Sequence, residues 1–302
     1  MKHSISIFIL LITSFSYSQD VNFNQVNLTG LYSNPALTGA NGEQKISTAF
    51  QSQWPGLSGS IRSSFASYED GSHKFGNFGG YYLNSYYSNG AFHSNRFGLN
   101  YAKPIRLTRK LMVTAGLNAS LILDHINFEK VTFGDLANPR TGRLYNPLEM
   151  KENTLSSDFS GGILINWQNI FFGASFNQWG SLGAKSIFNT YANIGVSFRS
   201  KSGDFAIIPE LSYNTLGGFH SAAVKVSSYY KWAKLGVEYS ARDAFSTIVG
   251  ARIGKFDLSL SGHWTFSKLS NSVGGSYELG LSYKLSNLRQ KHTFKSYDYS
   301  LF

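Results

Sequence analysis

The sequence predicts an all-β protein, a transmembrane antiparallel up-and-down β-barrel of about fourteen strands. Only 15% of the 302 residues are charged, 16% are aromatic and 30 are glycine, whereas soluble proteins carry about a quarter charged residues. Apolar and polar residues alternate in many short segments, which is typical of strands with two different faces. After the N-terminal leader, no apolar run approaches the roughly 18 residues of a membrane-spanning helix. A soluble all-β protein is the competing interpretation.

Residues 1–18 are predicted to be a secretory signal peptide. Lys2 and His3 precede the apolar run Ile5–Ile12, and Ser16 and Ser18 are the small residues expected before cleavage at Gln19. The chain contains no cysteine, so we expect neither disulfides nor a lipid-modified cysteine.

Two proline-containing stretches flank the first predicted strand. Pro35 fixes its own φ and pushes Asn34 out of the helical region, so a turn or extended segment begins there. After the strand, Trp54-Pro55-Gly56 is expected to form a turn, because proline cannot donate to a strand ladder. We therefore predict one barrel domain, residues 19–285, whose N-terminal entry segment is 19–43.

Fourteen segments have strand periodicity. They are Lys45–Gln53, Leu57–Tyr68, Phe75–Tyr87, Phe92–Lys103, Leu111–Asp124, Leu155–Asn166, Ile170–Gln178, Thr190–Arg199, Phe205–Asn214, His220–Tyr230, Lys234–Arg242, Ser246–Gly254, Phe256–Phe266 and Ser276–Leu285. Their connections alternate between short and long, with His125–Thr154, Trp179–Asn189 and Ser267–Gly275 the longest. Because barrels of this kind have short periplasmic turns and longer outer loops, we place the long connections outside and the tail, residues 286–302, in the periplasm.

The alternation also assigns faces to the strands. In Leu111–Asp124, Leu117 belongs to an apolar face that we assign to lipid, whereas Asn118 belongs to a polar face that we assign to the lumen. The predicted lumen charges are of mixed sign, so they either pair and plug the barrel or line a polar channel. They are Arg62, Glu210, Lys225, Glu238, Arg252 and Glu278.

These motifs together resemble the PorP/SprF family, outer-membrane proteins tied to the type IX secretion system of Bacteroidetes. The residues that carry the resemblance are Gln19, Asp20, Asn34, Pro35, Ala36, Leu37, Gly39, Gln53, Trp54, Pro55, Gly56 and Leu57. We treat Asn34, Pro35, Ala36, Gly39, Gln53, Trp54, Pro55 and Gly56 as a family motif with a structural or partner-binding role.

The resemblance implies an outer-membrane component that supports secretion or cell-surface attachment of a large adhesin-type substrate. The implied partners are the adhesin's C-terminal domain, periplasmic ring or peptidoglycan-binding proteins of the secretion system, and the lipid bilayer. An outer-membrane channel for small solutes is the alternative function.

The residues themselves predict binding rather than catalysis. The histidines lie singly, without metal-ligand spacing, and no nucleophile elbow, phosphate loop or dinucleotide fingerprint occurs. We therefore expect no enzyme activity, catalytic residue, metal or cofactor. A barrel lipase would have only His93 and His125 as candidate bases.

Charge is the remaining sequence signal. The net charge is +10, and much of the excess lies in predicted turns and in the tail. A nucleic-acid partner is not expected for an exported barrel, so the basic turns either contact acidic polymer or anionic lipid, or dock to a periplasmic partner. In the longest loop, Arg140, Arg143 and Lys151 form a candidate partner-binding site.

Overall fold

The computed structural model describes residues 23–57, 59–131, 152–182, 189–216, 219–241, 244–266 and 275–286. Helix α1 (Val26–Ser33) and a 3-10 turn (Pro35–Leu37) come first, and a second 3-10 turn (Ser88–Gly90) links two strands. The strands are β1 (Gln44–Gln53), β2 (Ile61–Asp70), β3 (Asn77–Tyr87), β4 (Phe92–Arg106), β5 (Leu111–Ile126), β6 (Asn153–Trp167), β7 (Ile170–Leu182), β8 (Asn189–Val196), β9 (Phe198–Arg199), β10 (Phe205–Leu216), β11 (Phe219–Tyr230), β12 (Ala233–Ser240), β13 (Ala244–Ile253), β14 (Phe256–Thr265) and β15 (Ser276–Ser286). None of the described helical segments has the length and hydropathy of a membrane span.

The strands form one closed antiparallel sheet. Strands adjacent in sequence pair with each other, and β15 pairs with β1 to close the ring. Strands β8 and β9 lie in line and both pair with β10, so the fifteen strands occupy fourteen positions. A closed ring leaves no unpaired strand edge, which the bilayer interior requires. The predicted fourteen-stranded barrel is confirmed.

The two ends of the barrel differ in their connections. One end, which we call the turn end, carries the start of β1, the end of β15 and the connections 71–76, 107–110, 168–169, 200–204, 231–232 and 254–255. The opposite end, which we call the loop end, carries the longest connections, 127–152 and 266–275. Two of the three connections predicted to be longest thus lie at this end. The third, Trp179–Asn189, was wrong in length, because β7 continues to Leu182 and leaves only 183–188 between the strands.

Strand faces follow the predicted alternation in β5. Leu117 is 65% exposed on the outer surface, whereas Asn118 is only 6% exposed on the inner surface. The same holds in β15, where Leu279 is exposed and Glu278 is buried. Apolar residues thus cover the lipid-facing wall, and polar residues cover the inside.

Residues 23–42 lie inside the barrel, and we call them the plug. Helix α1 contacts β1 and β15, and the 3-10 turn Pro35–Leu37 contacts β4, β5 and β6. The plug therefore spans the lumen from wall to wall. With eight residues, α1 is too short to be stable in isolation. Its stability therefore comes from burial of Leu28 and Leu31 against the wall.

An apolar cluster joins the plug to β2 and β3. Phe65 packs between Phe23 and Tyr81, with ring centroids 5.8 and 5.9 Å away. Tyr32 packs against Tyr81 at 5.5 Å, and Leu31 completes the cluster. The inner wall is therefore apolar on this side, although a barrel lumen is usually polar.

This cluster corrects one predicted lumen charge. Arg62 is exposed on the outer wall, because the inward positions of β2 are Ile61, Ser63 and Phe65. The plug supplies an apolar surface inside the barrel, so Phe65 faces inward on β2, and Arg62 lies on the opposite face. The other five predicted charges lie on inward-facing positions.

Candidate functional site

Asn34 anchors the centre of the plug to the barrel wall. Its Oδ1 accepts a hydrogen bond from the Ala36 backbone N–H at 2.9 Å, which caps the 3-10 turn. Its Nδ2 donates to the carbonyl oxygens of Ile163 at 3.3 Å and Ala174 at 3.4 Å, on β6 and β7. The extended backbone of Asn34 (φ −145°, ψ 112°) is the conformation that the following Pro35 favours. A buried amide that satisfies both its acceptor and its donor group stabilises one position of the plug.

Two wall glycines make room for this part of the motif. A Cβ at Gly116 would lie 2.2 Å from the backbone nitrogen of Ala36, and a Cβ at Gly162 would lie 2.0 Å from Asn34 Oδ1. Both distances are far below van der Waals contact. Glycine at these positions therefore permits the plug to touch the wall directly.

Gly39 is the last motif residue in the plug, and it provides a second anchor between the plug and the wall. Its φ of +59° lies in the left-handed region that favours glycine. Its N–H donates to Glu69 Oε2 at 2.9 Å, and the other oxygen of Glu69 forms an ion pair with Lys45 at 2.9 Å. Lys45 Nζ also donates to the Asn27 carbonyl at 2.8 Å. One buried ion pair thus connects both halves of the plug to β1 and β2.

The start of the plug is held by two of the predicted lumen charges. The backbone N–H of Asn24 donates to Glu278 Oε2 at 3.0 Å, and Lys225 Nζ donates to the Asn24 carbonyl at 3.2 Å. The side chain of Gln25 accepts a hydrogen bond from Ser259. Glu278 and Lys225 therefore bind the plug, which favours the interpretation in which the lumen charges close the barrel.

The remaining motif residues lie far from the plug. Gln53 ends β1 at the loop end, and its Nε2 donates to Gln51 Oε1 at 2.9 Å. Trp54 has a φ of +51°, which is unusual for a bulky residue, and its carbonyl accepts from the Leu57 N–H at 3.0 Å. Pro55 and Gly56 are exposed. The motif thus forms two separate sites, because β1 runs the height of the barrel between them.

The predicted partner-binding residues Arg140, Arg143 and Lys151 lie outside the described residues. So do the predicted signal peptide, residues 1–18, and the tail beyond residue 286. The two histidines considered as candidate bases lie within the described residues. His93 and His125 are opposite each other on β4 and β5, and each contacts an asparagine, Asn84 or Asn153. No group of three or more potential metal ligands occurs in the described ranges.

A polar cavity opens on the loop-end side of the plug. It holds about 1010 Å³ of empty space, and the plug residues Phe23, Asn24 and Tyr32 form its floor. Its wall carries hydroxyl, amide and phenol groups and two charged side chains of opposite sign, Arg96 and Glu238. The Oδ1 atoms of Asn177 and Asn189 are buried there without a protein hydrogen-bond partner. The cavity is thus a blind, polar vestibule whose floor is the plug.

A second cavity opens at the turn end. It holds about 1340 Å³ of empty space between the wall and Gly39, Ala40 and Gly42 of the plug. Its rim carries the basic side chains Lys74 and Arg106, and His73 lies beside them. Unlike the loop-end vestibule, this mouth is basic.

With this geometry established, the chain can be compared with known proteins. It matches the family described as "Type IX secretion system membrane protein PorP/SprF" over residues 15–283. The chain belongs to this family. It is therefore a β-barrel membrane protein of the type IX secretion system, and the motif that seats its plug is the part of the sequence that resembled the family.

Solved structures agree with the fold. The CymD monoaromatic hydrocarbon channel is 11% identical with a TM-score of 0.53, over 89% of this chain and 94% of that chain. The toluene transporter TbuX of Ralstonia pickettii is 11% identical with a TM-score of 0.50, over 86% and 94%. At such low identity the likeness shows only the barrel fold. None of the curated proteins matches the PorP/SprF-family chain.

Several residues of the plug site were not predicted from the sequence. Glu69, Lys45 and Asn100 hold the plug, and Asn100 Nδ2 donates to the Leu31 carbonyl at 2.7 Å. Nothing local distinguishes them from other inward-facing polar residues. The glycines at 116 and 162 gave a weak signal, since a glycine inside a strand often marks a close approach of another backbone.

Proposed function

We propose that this protein supports secretion or cell-surface attachment of a large adhesin-type substrate in the outer membrane, by binding rather than by conduction. The observation that carries this proposal is the plug. It crosses the lumen from β15 to β6 and is hydrogen-bonded at several points of the wall. A lumen occupied in this way is unsuited to passage of a polypeptide, so the partners are expected at the two ends.

We assign the loop end to the cell surface and the turn end to the periplasm. Both the start of β1 and the end of β15 lie at the turn end, as expected for a barrel whose termini remain in the periplasm. On this assignment the long loops and the blind vestibule face outward. They are the surfaces available to the C-terminal domain of the adhesin.

The vestibule suits an extended, mostly uncharged segment of that domain. Asn177 and Asn189 oppose each other on β7 and β8, and both line the vestibule with Ser212. Amide and hydroxyl groups at such a wall can exchange hydrogen bonds with the backbone of a bound segment.

The turn-end mouth is the candidate docking surface for periplasmic ring or peptidoglycan-binding proteins. Arg106 and His73 line it next to Gly39, Ala40 and Gly42 of the plug. A basic mouth of this kind attracts an acidic partner and speeds its association. It also brings such a partner to the segment that holds the plug in place.

A strain that lacks this protein tests the proposal. We expect surface immunofluorescence of the adhesin to be lost and to return with the wild-type gene. Planar-bilayer recordings of the purified protein should show little conductance. Normal adhesin display in the deletion strain would remove the secretion role, and stable open pores formed by the wild-type protein would favour the alternative function, a channel for small solutes.

A further inference from the structure

Exposed basic side chains surround the turn end of the barrel. Five of its six connections, with the strand ends beside them, carry such residues, and only 168–169 does not. Six of these residues form what we call the basic ring: Lys74, Arg109, Lys110, Lys201, Lys231 and Lys255. Among the described residues, none of the six forms an ion pair with an acidic side chain. The ring therefore presents its charge to the surroundings.

The opposite end has no comparable surface in the described ranges. There the exposed bases Arg62 and Lys130 are offset by the exposed acids Glu129 and Glu152. At the turn end only one exposed acid, Asp204, lies within the connections. The charge asymmetry is thus a property of one rim of the barrel.

Large exposed aromatic residues lie at the same end of the barrel as the basic ring. Phe75 is 80% exposed, Trp232 is 63% exposed and Trp167 is 53% exposed. Lys231 Nζ lies 5.4 Å from the ring centroid of Tyr230, and Lys255 Nζ lies 6.0 Å from that of Tyr283. Aromatic residues of this kind occupy the headgroup level of a membrane, so the basic ring lies at the level of the lipid phosphates.

We propose that the basic ring binds the anionic headgroups of phospholipids in the leaflet at the turn end. The ring members lie on turns distributed around the circumference, from β2–β3 to β13–β14. A bilayer contacts the whole circumference, whereas a docked protein would contact one sector. The chain's own tail is not a suitable occupant, because Arg289, Lys291 and Lys295 give it the same sign of charge.

The expected preference of the basic ring for anionic lipids is moderate. One basic residue near an anionic surface strengthens binding by a factor of about five. Because the six residues are spread over separate turns, each bound headgroup meets about one of them. We therefore expect a roughly fivefold preference for an anionic over a zwitterionic lipid at low salt, and little preference in 1 M salt, where the screening length falls to about 3 Å.

Tryptophan quenching by brominated lipids measures this preference at each end separately. In the first variant, Trp54, Trp179 and Trp264 are changed to Phe, so Trp167 and Trp232 report on the turn end. In the second, Trp264 is the single remaining tryptophan and reports on the lipid-facing wall near the loop end. Both are reconstituted in vesicles with brominated phosphatidylglycerol or brominated phosphatidylcholine. We expect a phosphatidylglycerol preference in the first variant and none in the second.

Charge substitutions then test the ring itself. In the turn-end reporter, neutralising all six residues of the basic ring should abolish the preference for phosphatidylglycerol. The substitutions are Lys74→Gln, Arg109→Gln, Lys110→Gln, Lys201→Gln, Lys231→Gln and Lys255→Gln. Arg62→Gln with Lys130→Gln is the matched control and should leave it unchanged. Heat-modifiable mobility on gels confirms that each variant is folded, and single-turn variants replace the sixfold variant if it is not. Equal quenching by the two lipids, or a preference that survives neutralisation, would overturn the proposal.

Discussion

At the scale of single residues, the plug depends on wall positions that have no side chain. Gly116 and Gly162 face each other across β5 and β6 and lie against Ala36 and Asn34. A side chain at either position would occupy the space of the plug backbone. The fit of the plug is thus determined as much by the wall as by the motif.

We predict that Gly116→Val displaces the plug or destabilises the barrel by about 1–3 kcal/mol, the usual cost of overpacking a filled site. Unfolding in urea, followed by gel mobility, measures the change. Ala115→Val is the control, because Ala115 is exposed on the outer wall. If the same Gly116→Val change is equally costly in a barrel that lacks residues 23–40, the clash is not with the plug.

Trp54 stores backbone strain at the loop end. Its φ of +51° costs a bulky residue about 1–2 kcal/mol that glycine would not incur. We predict that Trp54→Gly forms at least as much heat-modifiable barrel as the wild type. A clear loss of folded barrel would mean that the indole is needed for folding. Normal folding with loss of adhesin display would assign the indole to partner binding.

At the scale of elements, the strands have two faces with different tolerance to charge. Leu211 is 56% exposed on the outer wall of β10, and its neighbour Ser212 lines the loop-end vestibule. The two positions are adjacent, so they differ in face but hardly in depth.

We predict that Leu211→Arg costs about 2–4 kcal/mol if it lies near the midplane, the usual cost of Arg on a lipid face. Ser212→Arg should cost much less, because the vestibule is polar and open. Reversible folding into lipid vesicles compares the two. Equal costs would contradict the assigned faces. Asn118→Arg is a poor comparison, since Asn118 is buried and donates to Asn100 Oδ1 at 2.6 Å.

The plug is the element that closes the barrel. We predict that deletion of residues 23–40 raises the single-channel conductance in planar bilayers. The barrel should still form, because strands β1–β15 pair with one another and not with the plug. The unmodified protein is the control. No change in conductance in a folded deletion variant would show that another part of the chain closes the lumen.

At the scale of the whole molecule, the two ends have different chemistry. The loop end has a polar vestibule with charges of both signs, and the turn end has a basic mouth within the basic ring. On the proposed function, the partner's contacts are expected in the vestibule or in the long loops. The sequence favoured the longest loop.

We predict that replacing residues 138–151 with a short Gly-Ser link leaves the barrel folded but releases the adhesin into the medium. Halving a loop changes closure entropy by only about 0.6 kcal/mol, so stability should be preserved. Immunofluorescence of whole cells and blots of the supernatant measure adhesin attachment. An unchanged surface signal would exclude Arg140, Arg143 and Lys151 from the binding site and favour the vestibule.

The sequence alone determined the strands, their number and most of their faces. These features depend on a two-residue alternation that is visible within a dozen positions, such as Leu117 against Asn118. It also determined the turn at Pro35, because proline restricts its own backbone and that of Asn34. Family membership followed from short motifs.

Only the tertiary structure decided where that motif lies. Asn34 contacts β6 and β7 about 130–140 residues away, and no local pattern encodes such a contact. The same plug reversed the expected face of β2, where Phe65 points inward and Arg62 points outward. Alternation specifies two faces but not which one is inside, because that depends on what fills the lumen.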